Sequence, residues 1–128
     1  MHATGNLEIK LESQKDAQAD PELARMTIHK TFHGDLEGTS QGQMLSATTD
    51  VKGSAGYVAI EKVTGTLGGR SGSFVLQHSG TMTRGTPHLS VTVVPDSGTG
   101  EFAGLSGSMK ISNAEGKHTY EFEYTLAP

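Results

Sequence analysis

Apolar and polar residues alternate along the chain in eight short runs. The first run has leucine or isoleucine at positions 7, 9 and 11, and glutamate or lysine at positions 8, 10 and 12. Alternation with a period of two is typical of a β-strand that has one buried and one exposed face. The predicted strands lie around residues 7–11 and 26–32 and over residues 37–49, 55–67, 72–83, 88–94, 103–112 and 117–126.

Most connections between these runs are short and contain glycine, as in antiparallel hairpins. They are predicted at residues 50–54, 68–71, 84–87 and 113–116. The stretch from Ser13 to Asp20 is polar. Asp20 and Pro21 match the cap and first position of a helix, so one helical turn is predicted there. Eight sequential antiparallel strands without a long crossover predict an up-and-down barrel, because closure removes the exposed edges of the sheet.

Length and composition fit one all-β domain over residues 1–128. Glycine, serine and threonine make up 44 of the 128 residues, which suits many tight turns. Cysteine is absent, so disulfides and thiolate metal sites are excluded. The net charge of −4 argues against a nucleic-acid partner, and the apolar runs are too short to span a membrane. The first residues have no basic flank or apolar stretch of a secretory signal, so a cytoplasmic protein without a membrane partner is expected.

The alternation brings two ionisable residues of neighbouring strands to the same face. Glu61 lies on the odd face of the fourth run with Tyr57, and His78 lies on the even face of the fifth run with Phe74. A four-residue turn at 68–71 would place Glu61 opposite His78, and a slip of two residues would make them diagonal neighbours. Either register predicts that the carboxylate and the imidazole meet inside the barrel.

The last hairpin is predicted to bring tyrosine hydroxyls into the same interior. A turn over residues 113–116 pairs Gly107 with Phe122, Leu105 with Tyr124, Ile111 with His118 and Met109 with Tyr120. For the third run two interpretations stay open, because either Met44, Ser46 and Thr48 or Leu45 and Ala47 could face inward.

A buried carboxylate is costly unless it is paired, so Glu61 is predicted to interact with His78 and with Lys30 of the second run. Such groups in an apolar cavity suit proton transfer, with Glu61 as general base and His78 as its partner or as the acid. Tyr57, Phe74, Tyr120, Tyr124 and Lys30 are the predicted ligand-binding residues. The alternative is structural: Glu61 is solvated near a rim, and His78 bonds a backbone carbonyl.

No metal or other cofactor is predicted. His29 and His33 have the spacing of a helical metal pair, but they lie in a predicted strand. Four strand residues at about 3.3 Å each place their Cα atoms about 13 Å apart, which is too far for a shared ion.

Three segments resemble a bacterial family of unknown function (DUF3224): residues 33–39 (HGDLEGT), 56–61 (GYVAIE) and 72–82 (GSFVLQHSGTM). Residues 96–109 (DSGTGEFAGLSGSM) look like a glycine-rich strand start of the allene oxide cyclase and dirigent barrels. The resemblance covers almost the whole chain. It implies an eight-stranded antiparallel barrel of allene oxide cyclase type, often paired as a homodimer, with a cavity for an apolar ligand.

The resemblance implies a barrel that binds a small apolar metabolite. Such a barrel could act as a cofactor-independent isomerase or cyclase, as a non-catalytic carrier similar to lipocalins, or as a structural dimer. The plant cyclase uses a glutamate, a cysteine and asparagines that hold water. This chain has no cysteine, and its only asparagines are Asn6 and Asn113, so no catalytic residue is transferred from that enzyme.

Overall fold

The computed structural model describes residues 1–14, 20–114 and 116–126. Within these ranges the chain forms β-strands and turns and no helix, so no helix here could cross a membrane. The strands are β1 (His2–Gln14), β2 (Leu23–Gly34), β3 (Leu36–Thr48), β4 (Ala55–Leu67), β5 (Arg70–Thr83), β6 (Thr86–Val93), β7 (Thr99–Gly100), β8 (Ser106–Ala114) and β9 (Lys117–Thr125).

Eight of the strands close into the predicted antiparallel barrel. They pair in the order β1-β2-β3-β4-β5-β6-β8-β9, and β9 pairs back with β1. The junction between β6 and β8 is the weakest, with Thr92 and Ser108 as its one bridging pair. The short strand β7 instead adds to β5 at one end of the barrel.

The barrel has two unlike ends. At the end that we call the closed end, residues 94–105 continue beside the start of β5 and insert Phe102 and Leu105 into the core. The Phe102 ring packs edge-on against Phe74 at 5.6 Å between centroids, and Phe74 stacks on Phe122 at 5.7 Å. We call the opposite end, which carries the β3–β4 and β5–β6 turns, the open end.

Two hairpin turns are two residues shorter than the sequence suggests. Leu67 pairs with Arg70 across a turn of Gly68 and Gly69, whose φ angles of 61° and 80° suit glycine. The last hairpin is also shifted by two. It pairs Asn113 with His118, Ile111 with Tyr120, Met109 with Phe122 and Gly107 with Tyr124. The pairs predicted for the last hairpin were therefore wrong in register, whereas the hairpin of β4 and β5 adopts the predicted alternative that is slipped by two. A shift of two leaves every side chain on its predicted face.

The helical turn predicted at Asp20 is absent, and residues 15–19 lie outside the described ranges. The Asp20 side chain accepts a hydrogen bond from the Glu22 N–H at 2.9 Å, and its carbonyl accepts one from the Leu23 N–H at 2.9 Å. This Asx turn leads directly into β2 because Leu23 is already extended.

The seventh predicted run also begins too early. Residues 101–104 form turns rather than a strand, and β8 starts at Ser106. The Leu105 N–H donates to the Phe102 carbonyl at 2.9 Å, which turns both apolar side chains into the core.

Candidate functional site

Four polar side chains meet inside the barrel, midway between its ends. Glu61 is 0 % exposed, and Ser40, His78 and Lys30 are 2, 4 and 6 % exposed. Oε1 of Glu61 lies 2.8 Å from Nε2 of His78 and 3.0 Å from Nζ of Lys30. The Ser40 hydroxyl donates to Oε2 at 2.9 Å. We call these four residues the ion cluster.

The register of four adjacent strands assembles the ion cluster. Lys30 on β2 lies opposite Ser40 on β3, and Gly42, two residues further along β3, lies opposite Glu61 on β4. A Cβ atom at Gly42 would overlap the backbone of β4 at Glu61, so this close approach requires glycine. On β5, His78 lies opposite Ala59 and hence diagonal to Glu61. The diagonal register is therefore the one that the protein adopts.

The surroundings of Glu61 favour its charged form. Burial by itself would raise the pKa of the Glu61 carboxyl, but the hydrogen bond from His78 and the positive charge of Lys30 outweigh burial and hold the pKa below its usual value. An ionised carboxylate only accepts hydrogen bonds, so Nε2 of His78 carries the hydrogen. When the imidazole is neutral, its Nδ1 is then the basic nitrogen.

Above the ion cluster, the open end holds an apolar pocket of about 330 Å³. Its walls come from β3 to β6 and include Met44, Met82, Pro87 and Leu89. Tyr57 lies between this pocket and the ion cluster. Its ring lies against Gly80, where a Cβ atom would overlap it. Tyr57 pairs with Gly80, and the next inward-facing pair toward the closed end is Ala59 with His78. Burial and the charge of nearby Glu61 raise the pKa of the Tyr57 hydroxyl.

The structure thus separates the predicted site residues into two groups. Glu61, His78 and Lys30 are in contact, and Tyr57 lines the pocket next to them. The other three predicted ligand-binding residues lie in the packed core at the closed end: Phe74, Tyr120 and Tyr124. Within the described ranges, no cluster of three or more histidine, aspartate or glutamate residues is arranged to hold a metal.

Ser40 is the member of the ion cluster that the sequence did not reveal. The predicted third run ended at residue 49 and left five residues for the turn, whereas the turn has six and pairs Thr48 with Ala55. One residue of turn length reverses the face of a strand. A six-residue turn would have placed the Ser40 and Met44 face with Glu61, and it agrees with the exposure of Leu45.

The fold and the ion cluster define a class of protein: eight-stranded antiparallel barrels with one open end and a buried carboxylate that is paired with a positive charge. The sequence profile described as protein of unknown function (DUF3224) matches residues 3–124. The chain therefore belongs to the DUF3224 family. A crystal structure of a DUF3224 protein of unknown function from Shewanella oneidensis MR-1 is 51 % identical and superposes with a TM-score of 0.94, covering 100 % of this chain and 98 % of that one. A search of curated proteins gave no match.

Proposed function

We propose that this protein binds a small apolar molecule in the pocket at the open end of its barrel. The observation that carries the proposal is the exposure of apolar side chains on the inner wall at this end. Met82 and Leu89 are 42 and 45 % exposed although their strand positions face the barrel axis. Inward-facing apolar groups that the chain leaves uncovered favour an apolar ligand.

The size and chemistry of the pocket support the same proposal. A volume of about 330 Å³ reaches the lower range of small-molecule sites. Methionines such as Met44 and Met82 adapt their shape to different apolar ligands. The proposal includes the small apolar metabolite that the resemblance to allene oxide cyclase barrels implies, and it includes a carrier role without chemistry.

Proton transfer through the ion cluster is the second possibility from the sequence. The contact between Glu61 and His78 supports it, because a carboxylate that fixes one ring nitrogen leaves the other as a base. Both oxygens of Glu61 already accept hydrogen bonds, however, and Tyr57 lies between the cluster and the pocket. A ligand would reach Glu61 only after these contacts changed. Binding in the pocket needs no such change, so it is the better supported function.

Fluorescence titration with N-phenyl-1-naphthylamine, a neutral apolar probe, tests the proposal. The chain has no tryptophan, so its own emission interferes little with that of the probe. We expect saturable binding to the wild-type protein. Leu89→Gln should weaken binding about tenfold, since one buried leucine contributes roughly 1.5–3 kcal/mol and about 1.4 kcal/mol corresponds to a factor of ten.

Leu45→Gln is the matched control, because Leu45 is similarly exposed but lies on the outer face of β3. It should bind the probe as the wild-type protein does. Circular dichroism melting of each variant shows whether the barrel is intact. Absence of saturable binding to the wild-type protein, or equal weakening by Leu45→Gln, would contradict the proposal.

A further inference from the structure

One stretch of β1 has a strand partner on one side only. β1 pairs with β2 as far as Gln14, opposite Arg25, whereas its pairing with β9 ends at Leu7, opposite His118. Within the described residues, positions 8–14 therefore form a free sheet edge in an otherwise closed barrel. Free edges are templates for pairing with another strand.

The backbone of this edge points outward at alternate residues. Thr4 bonds Asp35, beyond the end of β2, through both its N–H and its carbonyl, whereas Met1 bonds Tyr124 of β9. The register with β2 is continuous from Gly5 to Gln14, so odd residues keep pointing away from β2. Ile9, Leu11 and Ser13 thus present their N–H and C=O groups at the free edge.

We propose that two copies of this chain pair antiparallel through residues 8–14 of β1, with the twofold axis at Leu11. Leu11 is the midpoint of the free stretch, so this register uses all of it. The two Leu11 residues then exchange backbone hydrogen bonds, and Ile9 does the same with Ser13 of the second copy. The interface is isologous, as in most homodimers.

Charge complementarity supports a second copy as the occupant. In this register Lys10 lies opposite Glu12 of the second copy, and Glu12 lies opposite Lys10 of the second copy. These are non-hydrogen-bonded pairs, in which side chains come closest. Within one chain Lys10 Nζ and Glu12 Oε1 are 3.6 Å apart and both side chains are more than half exposed, so both are accessible to a partner.

The space beside the edge also suits an added strand. A groove of about 680 Å³ opens where β1 and β9 part, and it is lined by residues such as Ile9, Gly116 and His118. Pairing there would place Leu11 of each copy against the other and would cover apolar side chains that one chain leaves exposed.

Sedimentation equilibrium of the full-length protein and of charge variants tests the interface. Lys10→Glu alone and Glu12→Lys alone create two like-charge pairs, and each should weaken dimerisation at least about tenfold. The double variant Lys10→Glu/Glu12→Lys restores both opposite-charge pairs, so it should dimerise like the wild-type protein. An equimolar mixture of the two single variants should form a heterodimer, because each supplies the charge that the other lacks.

Ile60→Glu is the control, since Ile60 is 51 % exposed on the outer face of β4, away from this edge. It should leave the dimer unchanged. A monomeric wild-type protein at high concentration would overturn the proposal. So would dissociation by Ile60→Glu alone, or a double variant as weak as the single ones. Melting temperatures confirm that each variant is folded. Titration with the apolar probe measures binding at the open end, and sedimentation measures dimerisation, so the two proposals are tested independently.

Discussion

The closed and open ends are built from the same eight strands with the same alternation, yet only one of them is packed. At the closed end the inward positions carry aromatic rings. Residues 94–105 add the ring of Phe102 to them, so the rings are enclosed. At the open end the inward positions carry residues such as Met82 and Leu89, and nothing in the described ranges covers them. An inward-facing strand position is therefore part of the core only where other side chains cover it.

The largest difference between the two ends should appear on truncation of one apolar side chain at each. Phe122 stacks on Phe74 and on Tyr124, with centroids 5.7 and 5.2 Å apart. Phe122→Ala should reduce the free energy of unfolding by about 3–5 kcal/mol, through lost contacts and the cavity left behind. Leu89→Ala at the open end should change it by less than about 1 kcal/mol. Urea denaturation measures both, and equal losses would contradict the distinction between the ends.

The ion cluster lies between the two ends, and loss of the Glu61 charge alone should reduce stability by nearly as much. Glu61→Gln leaves Lys30 buried without a negative partner, which typically reduces stability by about 3–5 kcal/mol. The control is Glu61→Gln combined with Lys30→Met, which removes both charges and should recover most of the loss. A double variant no more stable than Glu61→Gln would show that the charge of Lys30 is not the cause.

The same cluster gives stability a predictable dependence on pH. The pKa of Glu61 is lower in the folded protein than its ordinary value of 4.5, so the folded state binds its proton less readily than the unfolded state. The contribution of Glu61 is therefore complete above that ordinary value and is lost as the pH falls through the lower pKa of the folded protein. The difference in urea midpoint between the wild-type protein and Glu61→Gln should narrow over this acidic range.

The sequence predicted the barrel and the contact between Glu61 and His78 because both depend only on which face of a strand each position occupies. The turn predicted between β4 and β5 was two residues too long. It paired Glu61 with His78, whereas the structure pairs Glu61 with Leu76, but both registers place the Glu61 and His78 side chains inside the barrel. The sequence left the face of β3 undecided, and the predicted turn of five residues would have favoured the wrong face, so Ser40 was missed. The packing of Phe102 escaped prediction for a different reason. Its burial depends on turns in residues 94–105 that follow the start of β5, and alternation of apolar and polar residues does not predict such turns.

The two ends also differ in how they use a tyrosine hydroxyl, and this gives the smallest expected effect. The Tyr120 hydroxyl at the closed end accepts from the Leu36 N–H at 2.9 Å and lies within 3.0 Å of the His33 carbonyl, so it ties β9 to the β2–β3 turn. Tyr120→Phe leaves the buried Leu36 N–H without that acceptor and should cost about 1–3 kcal/mol in urea denaturation. At the open end, the Tyr57 hydroxyl makes no hydrogen bond to any of the described residues. Tyr57→Phe should therefore change stability by no more than about 0.5 kcal/mol, and a loss as large as that of Tyr120→Phe would mean that the open end is packed as tightly as the closed one.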